Sequence, residues 1–311
     1  MTHRCGSVAI IGRPNVGKST LLNRLLGQKI AVVSPKPETT RDRLLGILTL
    51  PQAQVLFLDT PGIYRGAKTL MAKHQVQAAR EALSQADVLL MMTEAGAGFT
   101  DEDQDLLRLL PKRLPDAPGT PAFLAINKVD RVRKDLILPQ IALAGRLYPF
   151  QEIFPISAEK GDNVRPLLDS LVKALPEGPA QYPADQVTDR PVRTIAQELI
   201  REKTLLFTHE EVPYSVAVLI EEWREGTGRP APEAGRGARA KLYVRSTIYV
   251  ERDSQRAILI GKGGTALKRI GEHARKEIEA LTQRPVFLDL WVKVEKNWRK
   301  DPVMLRRLGY S

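Results

Sequence analysis

The eight residues Gly12-Arg13-Pro14-Asn15-Val16-Gly17-Lys18-Ser19 constrain this chain more than any other stretch. They fit G-x-x-x-x-G-K-[ST], a pattern with physical content only when a strand runs in and a helix runs out. Both are predicted here. Residues 8–11 form a short apolar strand, and residues 19–26 carry a helical pattern closed by Gly27. In that setting the glycines let the backbone wrap around phosphate groups. Amide N–H groups point inward, and the helix N-terminus adds a favourable dipole. Lys18 then reaches the outer phosphates, and Ser19 offers its hydroxyl to Mg²⁺. The alternative is a chance glycine turn before a helix. The loop alone does not select a base.

Residues 7–175 continue as alternating strands and helices. Strands are predicted over 44–50 and 55–58, joined by a turn at Pro51, and over 87–92, 122–126 and 153–156. Helices are predicted over 68–83, 100–110, 136–147 and 164–175. Thr100 is an N-cap followed by three acidic residues, both helix-start signals. Strands separated by helices of this size imply an α/β domain with a mostly parallel sheet and helices on both faces. Residues 176–189 hold Pro176, Gly178, Pro179 and Pro183 without apolar periodicity, and read as a proline-stiffened linker. Beyond it the order changes to α+β: helix 195–207, strands 215–222 and 240–250, helix 254–260, helix 265–281 and strand 286–294. The Gly-, Pro- and Ala-rich stretch 224–239 reads as a mobile loop. The domains expected are therefore 1–175 and 190–311, the second ending in a basic tail.

Four further elements lie at strand ends or loops of the first domain. Asp59-Thr60-Pro61-Gly62 follows a strand, so Asp59 can hold Mg²⁺ through water and Gly62 can offer its N–H to a γ-phosphate. Asn127-Lys128-Val129-Asp130 follows another. The Asp130 carboxylate can accept from N1–H and the exocyclic amine of guanine, whereas adenine presents an acceptor at N1. The Lys128 stem can lie over the base. Ile156-Ser157-Ala158 places small residues and backbone N–H groups where guanine O6 would sit. Glu38-Thr39-Thr40-Arg41-Asp42 lies in a polar loop after Pro35 and Pro37, where a threonine could meet Mg²⁺ only with γ-phosphate present.

With these five elements in order, residues 6–175 resemble the translation-factor-related GTPases. The resemblance implies a nucleotide site made of Gly12, Arg13, Pro14, Asn15, Val16, Gly17, Lys18, Ser19, Thr20, Asp59, Thr60, Pro61, Gly62, Ile63, Asn127, Lys128, Asp130, Ser157 and Ala158. Mg²⁺ would be held by Ser19, Thr40 rather than Thr39, and Asp59 via water. Lys18, Thr40, Gly62 and Asn15 would act in catalysis. One position departs from the Ras pattern: Ile63 stands where a water-orienting glutamine is found, so hydrolysis is expected to be intrinsically slow. Related GTPases with the Pro-Asn pair use that asparagine to help bind K⁺, which gives Asn15 a candidate role beside its alternative as a turn residue. A chain that only holds nucleotide and scaffolds RNA stays open at this point.

The net charge is +11, and residues 241–311 hold 16 Lys/Arg against 8 Asp/Glu. A concentrated basic end suggests an anionic partner, nucleic acid or a membrane surface. At its centre lies Ile260-Gly261-Lys262-Gly263-Gly264 between two predicted helices. A G-x-x-G loop there lets a nucleic-acid backbone approach, with Lys262 on a phosphate and the apolar surface of Ile258, Ile260 and Leu267 beside the bases. Lys268, Arg269, Lys293, Lys296, Arg299, Lys300, Arg306 and Arg307 could add phosphate contacts. Trp298 could stack on a base but is expected rather to pack against the domain, and Trp291, within a strand, to be core. The order helix–strand–strand–helix–GxxG–helix–strand resembles the prokaryotic KH domain. The pairing of both domains is similar to the Era family of bacterial ribosome-assembly GTPases. That resemblance implies binding to small-subunit ribosomal RNA near its 3′ end, and to the small ribosomal subunit, by a GTP/GDP switch.

The lone Cys5 excludes an intramolecular disulfide and a multi-cysteine metal site. No apolar run reaches membrane-spanning length, and the early strand leaves no room for a signal peptide. A cytoplasmic monomer is expected, with peripheral association at the inner face of the cell membrane as the alternative use of the basic tail.

Overall fold

A computed structural model of the chain describes residues 2–33, 44–60, 77, 80–111, 119–208, 212–225 and 241–308. The expectations placed on Thr39, Thr40, Pro61, Gly62, Ile63 and residues 226–239 lie outside the described residues, as does most of the predicted helix 68–83, of which 77 and 80–83 are helical, the helix continuing to 85.

The first unit is built on six strands: β1 (Arg4–Gly12), β2 (Leu44–Leu50), β3 (Ala53–Asp59), β4 (Val88–Glu94), β5 (Ala122–Asn127) and β6 (Ile153–Pro155). Their spatial order is β2-β3-β1-β4-β5-β6. Only β2 runs antiparallel, against β3; the other pairs are parallel. The helices are α1 (Lys18–Leu26), α2 (Asp101–Leu109), α3 (Ile137–Leu147) and α4 (Val164–Ala174). Strand residues alternate between faces. Ala9 and Ile11 pack in a core with Leu106 and Ala144. Val8 and Ile10, equally buried, point to the other face, where α1 meets α4. A strand apolar on both faces is what a parallel sheet between helices requires.

Thr100 caps α2 in a reciprocal box: its hydroxyl accepts from the Asp103 N–H, and the Asp103 carboxylate accepts from the Thr100 N–H.

Residues 176–189 run along this first unit, which extends to Asp189. Cys5 N–H donates to Pro176 O, Gly178 N–H to His3 O, and Ile47 N–H to Val187 O. The fully buried Gln54 of β3 donates to Tyr182 O at 2.8 Å and accepts from the N–H groups of Gln181 and Tyr182. The sequence shows prolines and no period there. The hydrogen-bond partners come from distant strands.

The second unit begins at Arg190. It contains α5 (Val192–Leu206), β7 (Ala217–Glu225), β8 (Leu242–Val250), α6 (Asp253–Ile260), α7 (Thr265–Thr282), β9 (Val286–Val294) and α8 (Pro302–Arg307). The sheet order is β7-β8-β9, with β7 antiparallel and β9 parallel to β8. Val244, Ile248 and Val250 face the core with Leu259, Ile270, Ala274 and Ile278 from α6 and α7.

Two expectations about tryptophan have opposite outcomes. Trp298 packs against the domain: it is fully buried with Tyr249, Met304 and Leu308, and its indole N–H donates to Ser215 O at 3.0 Å. The chain after β9 is thus ordered, with Asp301 capping α8 and Pro302 at its first turn. Trp291 is not core; it is 59% exposed. Its neighbours two positions away on the strand are Asp289 and Lys293, so the pleat turns this whole row outward.

Candidate functional site

The phosphate loop joins β1 to α1 as predicted. Gly17 has φ +103°, and a Cβ there would lie 2.3 Å from the Asn127 side-chain nitrogen, so no other residue fits. Asn15 has φ +63°, a conformation asparagine tolerates better than most residues. Its turn role therefore has a backbone reason. Lys18 is buried; its ammonium donates to Gly12 O at 2.8 Å and to Arg13 O at 3.1 Å. Burial lowers its pKa to about 8, with the nearby Asp59 opposing the shift and Arg13 adding to it.

The Ser19 hydroxyl donates to Asp59 Oδ2 at 2.9 Å, so a hydroxyl from the loop and a buried carboxylate from the end of β3 share one place. A hydroxyl and a carboxylate in contact are the oxygen donors that Mg²⁺ prefers, and these residues fit that ion. Thr60 has a different use: its hydroxyl donates to Ile10 O at 2.9 Å inside the sheet.

Asn127 ties three segments together. Its amide donates to Val16 O at 2.7 Å in the phosphate loop, and its Oδ1 accepts from the Ala158 N–H at 2.9 Å. Its backbone carbonyl receives Ala95 N–H. The Ala158 N–H is thus engaged by Asn127. Lys128 has φ +67°, and Asp130 beyond it is exposed. The Ser157 hydroxyl beside Asp130 holds its carboxyl below the usual range. A carboxylate ionised at neutral pH can accept two hydrogen bonds from a guanine edge.

The sequence reading missed two braces. Arg24 of α1 donates to the carbonyls of Ala158 and Glu159. Asn23 holds the N–H groups of Ile30 and Ala31. Both border a hollow of about 440 Å³ with Thr20, Lys29 and Ala158. The polar residues Asn23 and Arg24 in an apolar helix pattern were the available signal.

In the second unit, Gly261, Gly263 and Gly264 all have positive φ, so the loop between α6 and α7 bends as few other sequences could. Lys262, Lys268 and Arg269 are exposed around it. Ile258 is exposed, whereas Ile260 and Leu267 are half-buried. The Arg269 guanidinium sits over the Phe207 ring at 4.3 Å. Lys293 is separate from this group. It lies on the outward sheet face with Trp291, bordering a hollow of about 370 Å³. Lys296 and Lys300 are exposed; Arg299 pairs with Glu251.

Comparison with known proteins covers both units. Residues 7–128 match the model of the 50S ribosome-binding GTPase family, and residues 211–299 match the KH domain. GTPase Era of Geotalea uraniireducens is 47% identical over 308 residues, spanning 99% of this chain and 98% of that protein. GTPase Era of Geobacter metallireducens is 46% identical with the same coverage. The crystal structure of an Era in complex with MgGDPNP and nucleotides 1506–1542 of 16S ribosomal RNA is 42% identical, covers 99% of both chains and has a TM-score of 0.91. An Aquifex aeolicus Era variant bound to GDP·AlF₄⁻ matches with a TM-score of 0.90. Identity this high across both units, with the same two folds in the same order, places the chain in the Era family of GTPases.

Proposed function

We propose that this chain is a GTP-hydrolysing switch that binds small-subunit ribosomal RNA near its 3′ end and assists assembly of the small subunit. The observation that carries the reading is the 42% identical Era crystallised with MgGDPNP and 16S RNA nucleotides 1506–1542, which matches over 99% of this chain. Mg²⁺ would be held by Ser19, Thr40 and, through water, Asp59, and would neutralise charge on the phosphates. Lys18 would leave its two loop carbonyls for the β- and γ-phosphates. Asn127 would hold the phosphate loop against the base loop, and Asp130 would select guanine. With Ile63 unable to orient water, K⁺ beside Asn15 and the phosphates would supply the missing positive charge.

RNA would lie along the Gly261–Gly264 loop, with Lys262, Lys268 and Arg269 on its phosphates. GTP would order the segments around Thr40 and Gly62, and that change would alter RNA affinity. The reading implies a monomer working in the cytoplasm. The alternative place, peripheral at the inner membrane face, rests only on the basic C-terminal residues, and no described helix is long and apolar enough to cross a membrane.

Multiple-turnover GTP hydrolysis by wild type and Lys18→Ala, in K⁺ and in Na⁺, tests the first half. Hydrolysis lost in the variant is expected, and equal single-turnover rates in both salts would remove the K⁺ role. Crosslinking to RNA in cells tests the second half. A discrete site on small-subunit RNA, lost in Gly263→Asp, is expected; an unchanged map would remove the loop from the interface.

A further inference from the structure

The nucleotide site holds a side-chain network that neither the phosphate-loop pattern nor the Asn127–Asp130 motif contains. Glu94 is the last residue of β4, the strand between β1 and β5. It therefore stands between the strand that delivers the phosphate loop and the strand that delivers the base loop. In the β4–β5 register it is opposite Asn127. Its Oε2 lies 3.2 Å from an Arg13 guanidinium nitrogen and 3.0 Å from the Lys128 ammonium. One carboxylate oxygen thus serves two cations from two different loops.

We propose that Glu94 is a positioning residue for nucleotide binding: it draws Lys128 and Arg13 to one point and so locks the base loop to the phosphate loop. This rests on the placing of the base beside Lys128 given above. Three observations support it. The anchor is fixed at its base: Gln140 donates to the Glu94 carbonyl at 3.0 Å and accepts from the Gly96 N–H at 3.1 Å. The three charged side chains are only 18–30% exposed, so their attraction is less screened than that of surface pairs. Arg13 is held from its other side as well, by Asp103 at 3.6 Å. Asp103 is fully buried, is fixed in the cap of α2, and its Oδ1 has no hydrogen-bond partner among the described residues.

The consequence follows from chain flexibility. A free lysine stem explores many rotamers, and a base that packs on it must order them. With the ammonium tied at Glu94, the Lys128 stem is ordered before nucleotide arrives, so binding costs less entropy. The two cations would also repel each other without a shared carboxylate. Loss of Glu94 should loosen Lys128, and the nucleotide should then have to order it again.

A bland role would be a salt bridge that only stabilises the domain. A double-mutant cycle separates the two. The affinity of GDP with Mg²⁺ is measured by titration calorimetry for wild type, Glu94→Gln, Lys128→Met and the double variant, all full length, with melting midpoints recorded alongside. Glu94→Gln is expected to weaken GDP roughly five- to tenfold. In the Lys128→Met background the same change should cost less than twofold, because the stem that packs on the base is no longer held by Glu94 and Arg13 keeps Asp103 as a partner. Glu94→Asp, which keeps the charge, should recover most of the affinity, and it takes the place of Glu94→Gln in the cycle if the latter fails to fold. An equal loss in both backgrounds, or wild-type affinity in Glu94→Gln, would overturn the proposal. Absence of GDP binding by wild type would instead overturn the site assignment on which it rests.

Discussion

Asn127→Ala is the sharpest probe of how the first unit is held together. The side chain is 2% exposed and makes two hydrogen bonds, to Val16 O at 2.7 Å and from Ala158 N–H at 2.9 Å. Alanine supplies neither partner, and both backbone groups belong to buried residues. Leaving a buried donor or acceptor unpaired costs about 1–3 kcal/mol. Two such groups give roughly 3–4 kcal/mol, and a unit of this size loses about 2–4 °C per kcal/mol. The midpoint of the first unit should therefore fall by about 6–15 °C. The assay can read each unit separately, because all three tryptophans, Trp223, Trp291 and Trp298, lie in the second. Far-UV circular dichroism follows both units, and tryptophan fluorescence follows the second alone. The early transition should move in the first and stay in the second. Asn127→Asp should be no milder, since it keeps the Ala158 bond but points a second acceptor at Val16 O. Wild-type melting with lost GDP affinity would refute the strut argument and leave Asn127 as a base contact only. A fluorescence transition that falls equally would refute the assignment of the damage to the first unit.

Lys18 gives a pH dependence. With a pKa of about 8 in the nucleotide-free protein, it binds phosphate in the charged form, so GDP affinity should hold below pH 8 and fall by up to about tenfold per pH unit above it. Titration calorimetry in buffers of different ionisation enthalpy should show proton uptake near pH 8.5; none would sink the account. The sign for folding is opposite: between pH 8 and 10.5 the unfolded chain holds the extra proton, so this group makes the nucleotide-free fold more stable as pH rises. Gly263→Asp meets open space but strains the backbone at φ +62°, so it should cost the fold about 1–2 kcal/mol while weakening RNA binding at least tenfold; a melting shift without an affinity change would be the wrong result. Trp298→Ala should destabilise the second unit by about 3–5 kcal/mol in urea unfolding followed by circular dichroism, since it empties a fully buried site and removes the indole hydrogen bond to Ser215 O.

The parts of this molecule that were legible in the sequence are those in which neighbouring residues carry the information. Gly17, Lys18 and Ser19 announce a strand–loop–helix because the loop needs those types in that spacing. Thr100 and Asp103 announce α2, and β9 was bounded at Val286 and Val294 by its alternation. Trp291 was misjudged because its size outweighed that same alternation; Asp289 and Lys293 on its row marked it as outward. The ordered C-terminal segment was missed although Asp301-Pro302 is a cap followed by a first-turn proline. The partners of Glu94, Arg24 and Gln54 were illegible for another reason. They lie tens of residues away, and nothing local states which distant loop a polar side chain will meet.

The segment that follows α4 bears on how such chains are assembled over evolutionary time. Gln54, wholly enclosed, makes three of its side-chain hydrogen bonds to Gln181 and Tyr182, beside one to the Thr49 hydroxyl, and the Ile47 N–H is satisfied by Val187. A gene fusion joined at residue 175 would strip the GTPase unit of those three bonds to the buried Gln54 amide and of the partner of the Ile47 N–H on its edge strand. A junction at residue 189 or 190 would leave every one of those bonds inside the transferred piece. The heritable module is therefore longer than its last helix. A recombined chain should keep the unit intact only when this proline-rich stretch travels with it.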